Sequence, residues 1–192
     1  MIAGHFGLGL VAKSRATDMP VWAFALATQW LDVIFVPLYA AGVETLAPVA
    51  GSHGGYGEVI IHADYTHSLV GAAALSLLFG ALSAVRWGRR GAALLAAVAF
   101  SHWLLDLVVH RADMPILPGA VGTLPRVGFG LWETPAASVV VEVTLVVLGT
   151  LLYWRAAVRH MAGRAHQGRA HTAAGVALLS GLVTLTLNAL GY

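Results

Sequence analysis

Residues 91–110 read GAALLAAVAFSHWLLDLVVH. The run contains no lysine, arginine or glutamate, and at 1.5 Å of helical rise per residue it covers the roughly 30 Å of a bilayer core. Three residues inside it do not belong to an apolar span: His102, Asp106 and His110. Their i, i+4, i+8 spacing aligns them on one helix face, about 6 Å apart per step. A charged side chain at the centre of a span costs about 2.5 to 3.5 kcal/mol on insertion scales, so each polar residue there calls for a reason.

Working outward, four more stretches are long and apolar enough to cross: roughly 20–43, 66–85, 135–154 and 172–191. The composition agrees. The 192 residues are 58% hydrophobic and 10% charged, with a mean hydropathy of +0.78, whereas soluble domains carry about a quarter charged residues. The reading is an all-α, polytopic membrane helix bundle: five transmembrane helices in a single integral-membrane domain, 1–192. Met1 to Ala12 is apolar but closes at Lys13 and Arg15, too short to span, and is expected to form a half-helix among the others. A cleaved signal peptide is the alternative. Against it, the positive charge follows the apolar part and no small-residue cleavage site stands out.

With no cysteine in the chain, disulfides, thiolate zinc sites, iron–sulfur clusters and cysteine nucleophiles are excluded, so any metal must sit on nitrogen and oxygen. The pI near 9.3 does not call for a nucleic-acid partner, because the positive charge lies in short loops between apolar runs. Placing Lys13 and Arg15 in the cytoplasm puts Arg86, Arg89, Arg90, Arg155, Arg159, Arg164 and Arg169 on the same side. Arg111, Arg126 and the acidic residues Glu44, Glu58, Asp64, Asp113 and Glu133 then face outward, as the positive-inside rule requires. Trp22, Trp87, Tyr153 and Trp154 mark the inner boundary, and Tyr39 and Tyr192 the outer one. The expectation is a multi-pass protein of a bacterial inner (cytoplasmic) membrane with its C-terminus outside.

Residues 86–90 make spans two and three antiparallel neighbours, with Gly71, Ala72, Gly80, Ala92, Ala96 and Ala99 permitting close contact. Gly51 to Gly57 and Met114 to Pro135 read as external loops, the second with an apolar part suited to lie on the membrane. His53, His160, His166 and His171 also fall in loops, where solvation is the default.

The polar residues of the spans agree in depth. Measured from the cytoplasmic ends of their spans, Asp32 lies about 18 Å in, His102 about 17 Å and Asp106 about 23 Å; Glu142 lies about 11 Å below the outer surface. His67 opens span two from that surface, and His5 reaches similar depth on a half-helix. Pro37 removes the hydrogen bond that the Val33 carbonyl would accept, leaving a free acceptor near Asp32 and pointing to a polar cavity. Taken singly, a membrane histidine or aspartate is more often structural glue. Together, imidazole and carboxylate are the ligands of zinc and other divalent first-row metals. His110, Arg111 and Asp113 form a rim that reads either as part of the site or as an interfacial ion-pair network.

The string His62-Ala-Asp-Tyr-Thr-His67-Ser68 is similar to the histidine, four residues, histidine-serine motif of the YdjM-like family of membrane-bound metal-dependent hydrolases. Ser101-His102-Trp103-Leu104-Leu105-Asp106 resembles that family's second signature, and His5 its early histidine. His110-Arg111, Asp113, Pro115 and Gly130-Leu131-Trp132, with Glu142 in the next span, resemble a subgroup's further signature. The likeness covers roughly residues 1–135 and implies metal ligands at His5, Asp32, His62, His67, His102 and Asp106. The family's Pro-Asp-x-Asp-His run stands here as Gln29-Trp30-Leu31-Asp32-Val33, with one aspartate, which favours one metal over two.

The leading expectation is therefore one divalent metal, zinc by preference, on His67, His102 and Asp106, bordered by Asp32 and His5. Asp32 or Glu142 would be the proton acceptor in hydrolysis of an ester or phosphoester. A lipid-like substrate arriving from the outer leaflet fits the location. Alternatives are a transporter or proton- or ion-conducting protein, a haem carrier using His67 and His102 as axial ligands, and a structural membrane subunit.

Overall fold

The computed structural model describes the chain except for residues 17, 53–56, 122–123, 161–163 and 190–192. Six helices appear in chain order: α1 (Ile2–Arg15), α2 (Val21–Thr28), α3 (Trp30–Ala40), α4 (Leu69–Val109), α5 (Pro135–His160) and α6 (Arg164–Ala189). Between α3 and α4 lies a two-stranded antiparallel sheet, β1 (Thr45–Pro48) with β2 (Val59–His62), in the register Thr45 opposite His62. This hairpin lies where the sequence reads only an external loop. The all-α character holds for the body of the protein, 73% of which is helical. Among the described residues, α4, α5 and Gln167–Leu187 of α6 are long and apolar enough to cross a membrane; that is three such helices where the sequence reading has five, and the bent pair α2–α3 meets the same length and hydropathy only when taken as one span. Their outward faces carry residues such as Val140 and Leu179, each 64% exposed, as lipid contact requires.

α4 is two arms, 69–87 and 89–109, meeting at Gly88. That residue has φ +62° and ψ −174°, a left-handed backbone that suits glycine. In a continuous helix Gly80 and Ala96 would lie about 24 Å apart. Instead a Cβ on Gly80 would collide with the Ala96 side chain and the Ala92 carbonyl, so the arms fold back on one another as an antiparallel hairpin. The turn sits inside the expected 86–90 link.

The short N-terminal helix is buried, as expected of a half-helix, with its largest contact surface on α5. At the crossing the two backbones touch: a Cβ on Gly7 would lie 2.6 Å from the carbonyl carbon and oxygen of Leu145. Backbone atoms cannot swing aside as a side-chain end can. Gly7→Ala should therefore cost about 1–3 kcal/mol by overpacking and lower the melting temperature of the purified protein, read by scanning fluorimetry in detergent.

Span one is broken at Gln29, where α2 and α3 meet at 50°, and not at Pro37, which is accommodated inside α3. The break has two local effects. It places Asp32 in the first turn of α3, where the helix dipole favours negative charge. It also turns the Thr28 carbonyl to a side-chain donor, an arrangement tolerated at membrane depth because that backbone is buried in protein.

The basic segment after α5 is more helical than the sequence suggested. His160 closes α5, and α6 starts at Arg164, so His171 lies within a helix and its Nδ1 accepts from Trp154 Nε1 at 2.9 Å. His53, Tyr192 and the side chain of His166 lie outside the described residues.

A buried histidine and carboxylate centre

Four elements bring the site together. The second arm of α4 supplies His102 and Asp106, α1 supplies His5, α3 supplies Asp32, and the turn before α4 supplies His67. That turn is held by Ser68, the N-cap of α4, whose Oγ accepts from Gly71 N at 3.1 Å and donates to Tyr65 O at 3.0 Å. The next α4 donors, Leu69 N and Val70 N, find the carbonyls of Pro115 and Ile116, so the loop after α4 ties down its beginning.

His102 Nε2 lies 2.9 Å from Asp106 Oδ2, 3.2 Å from His67 Nε2 and 3.6 Å from Asp32 Oδ1. His67 Nε2 is 3.5 Å from Asp106 Oδ2 and 3.5 Å from Asp32 Oδ1. His5 Nε2 meets the other Asp106 oxygen at 3.0 Å, and its ring stacks on His102 with centroids 3.7 Å apart. His5, His67, His102 and Asp106 are buried, whereas the Asp32 side chain is 35% exposed.

Hydrogen bonds on the far side of each ring fix the tautomers. His102 Nδ1 is 2.6 Å from the Thr28 carbonyl, which can only accept, so Nδ1 carries the proton. His67 Nδ1 is 2.8 Å from Thr66 Oγ1, whose own proton goes to the Glu44 carboxylate, so this Nδ1 donates as well. His110 Nδ1 donates to Asp113 Oδ1 at 3.0 Å, and its Nε2 lies 3.9 Å from Asp106 Oδ2. In the neutral ring each Nε2 is then a bare lone pair aimed at the same region. Two lone pairs 3.2 Å apart on His67 and His102, flanked by two carboxylates, repel unless a positive centre lies between them.

The spacing fits such a centre. On a tetrahedral ion with bonds of about 2.0 Å, ligand atoms are about 3.3 Å apart. The triangle His67 Nε2, His102 Nε2, Asp106 Oδ2 measures 3.2, 2.9 and 3.5 Å. With Asp32 Oδ1 in place of Asp106, it measures 3.2, 3.6 and 3.5 Å. Two groups, His5–His102–Asp106 and Asp32–His67–His102, are thus able to hold a metal ion. They share His102, whose Nε2 has one lone pair, so it serves one ion at a time. His5 fits best as a donor holding Asp106, since its Nδ1 has no partner among the described residues and a bare nitrogen tolerates that better than an N–H.

Other candidates lie elsewhere. His62 ends β2 half-buried opposite Thr45 and belongs to neither group. Glu142 is fully buried, but its Oε2 accepts from Gly4 N at 3.0 Å, so its charge supports the start of α1 and it does not line the cavity beside the cluster. The rim divides: His110 and Asp113 are buried and joined to the centre, while Arg111 pairs with the exposed Glu133 at 3.1 Å. Asp113 also accepts from Ile61 N, which latches the β-hairpin over the site.

Sequence reasoning missed Glu44. Read as one more external charge, it is completely buried and accepts the backbone N–H groups of Tyr65 and Thr66 at 2.9 and 2.8 Å. Its proximity to the turn that carries His67 arises only from the β-hairpin.

The cluster opens into a cavity of about 310 Å³ whose remaining walls are mainly apolar, among them Ile2, Phe35, Val36, Leu46 and Trp132. The fold and site define a helical protein of membrane-spanning character with a buried histidine and aspartate group able to hold a metal ion. Comparison of the chain with protein-family models, with curated proteins and with solved structures finds no match.

Proposed function

We propose that the protein is a membrane-embedded, metal-dependent hydrolase of an ester or phosphoester in a lipid-like substrate, with one divalent ion, zinc by preference, on His67, His102 and Asp106. The observation that carries this reading is the pair of bare Nε2 atoms of His67 and His102, 3.2 Å apart beside two carboxylates. Three protein ligands are the number found where a catalytic metal keeps a position for water or substrate. When bound, the ion supplies Lewis-acid activation of water and of the scissile group at neutral pH.

The chain's residues do the rest. Asp32, the cluster member most open to the cavity, takes up the proton released by water. His5 holds the Asp106 carboxylate from the side away from His67 and His102, through Oδ1. The apolar walls, Trp132 among them, exclude bulk water and receive a hydrocarbon chain. The resemblance to the YdjM-like family supports the same reaction class.

In the membrane, α2–α3, the two arms of α4, α5 and α6 make five crossings. Lys13, Arg86 and His160 line one cavity, away from the cluster, which supports a cytoplasmic position for that end and an outer-leaflet position for the site.

The test is elemental analysis of the purified protein. About one divalent metal per chain, reduced to near zero in His102→Ala, is expected, together with metal-dependent release of product from a lipid ester or phosphoester. Absence of metal overturns the proposal, and metal without turnover reduces it to a binding site.

A further inference from the structure

A second and larger cavity, about 580 Å³, lies at the arginine-rich end of the molecule, and the hydrolase reading makes no use of it. Four helices and one turn meet there, α2 contributing Trp22. Lys13 comes from the end of α1, Asp18 from the turn before α2, Arg86 and Trp87 from the tip of the α4 hairpin, and His160 from the end of α5. Lys13 is buried to 8% exposure, with Nζ 3.4 Å from the Ala16 carbonyl, whereas Arg86 is exposed. Trp22 and Trp87 stand at the same cavity with ring centroids 5.5 Å apart, Trp22 59% exposed. Such indoles mark the headgroup level of a bilayer, with the apolar body towards the chains and the N–H towards water.

The charges are mixed in sign: Lys13 and Arg86 share one cavity with the carboxylate of Asp18. A free inorganic anion would use the cations and be repelled by Asp18. A ligand bearing both a phosphate and an amine uses all three. We propose that this cavity binds the headgroup of a zwitterionic aminophospholipid, with its phosphate on Lys13 and Arg86 and its ammonium on Asp18. The two indoles and the apolar walls take the glycerol and upper chain region. Basic pockets between helices at the cytoplasmic face are established places for lipid headgroups. Burial pushes the Lys13 ammonium pKa down and Asp18 pulls it back, so a phosphate beside Lys13 would further stabilise its charged form.

The experiment is native mass spectrometry of the purified, delipidated full-length chain, offered phosphatidylethanolamine, phosphatidylglycerol or diacylglycerol in turn, with inorganic phosphate as competitor. The expected result is one tightly retained phosphatidylethanolamine, preferred over the other two lipids and not displaced by phosphate. Lys13→Met and Arg86→Gln should each lower its retention roughly five- to tenfold, and Asp18→Asn should shift the preference towards phosphatidylglycerol. Arg86 is exposed, so its substitution keeps the test open if Lys13→Met does not fold. Equal retention of all three lipids, an unchanged preference in both Arg86→Gln and Asp18→Asn, or displacement by phosphate would each overturn the proposal. Metal content is not part of the readout, so the outcome is independent of the hydrolase reading.

Discussion

Asp106→Asn is expected to leave the fold standing and empty the site of metal. The carboxylate is the hub of the cluster: Oδ1 meets His5 at 3.0 Å, while Oδ2 lies 2.9 Å from His102, 3.5 Å from His67 and 3.9 Å from His110. Asparagine has nearly the same shape but half the acceptors and no charge. If its amide turns one way an NH₂ that cannot ligate faces the metal, and if it turns the other way a weaker, neutral oxygen faces the metal while the NH₂ meets the His5 donor. Loss of a hydrogen-bond partner behind a ligand already costs about 10–100-fold in affinity, so loss of the ligand's charge together with either the ligating atom or the His5 bond should cost about 100-fold or more. A chelator-competition titration reads the affinity, and on the proposed hydrolase reading turnover should fall with it at limiting metal. If the variant bound metal with wild-type affinity, Asp106 would not be a ligand and the centre would have to be rebuilt on Asp32.

The second large effect is expected at a residue outside the cluster. Glu44→Ala removes the acceptor of three donors, the part-buried Tyr65 N–H and the buried Thr66 N–H and Thr66 hydroxyl. Each buried donor left unsatisfied costs about 1–3 kcal/mol, so thermal stability should drop markedly. The Thr66 hydroxyl is then free to rotate and no longer has to accept from His67 Nδ1, so the tautomer that bares Nε2 loses its support. Metal affinity should fall about 10–100-fold. Thr66→Val separates the two consequences. It removes the acceptor for His67 while leaving Glu44 its two backbone donors, and should weaken metal binding with the smaller loss of stability. Wild-type affinity in both variants would show that the His67 tautomer is set by something other than Thr66.

Hydropathy and depth made much of this legible. Chain reversal near residue 88 follows from three arginines and a glycine set around Trp87 between two apolar runs, and the buried half-helix from a run too short to cross but apolar enough to bury. Depth along a span brought Asp32, His102 and Asp106 to one layer. Depth is only one coordinate, however. Glu142 has a compatible depth, yet α5 meets the start of α1 there and the carboxylate reaches Gly4. His62 and His67 look like a pair by spacing. But His62 ends a strand and His67 sits in the turn beyond it, so their side chains have no common helical face. Glu44 was out of reach for a different reason: its role depends on a β-hairpin formed by pairing residues 45–48 with 59–62, which no local periodicity announces.

The three histidines whose bare Nε2 faces the centre are held in unequal ways. His67 and His110 are oriented by side chains, Thr66 with Glu44 and Asp113, and each of these can be exchanged by a single codon change. His102 is oriented by the Thr28 carbonyl, a main-chain atom present whatever residue occupies position 28. Natural variation and laboratory mutagenesis can therefore retune the centre through two of its rings, one graded step at a time. The third answers only to the bend at Gln29, so a change that straightens the broken helix should act on it as a switch.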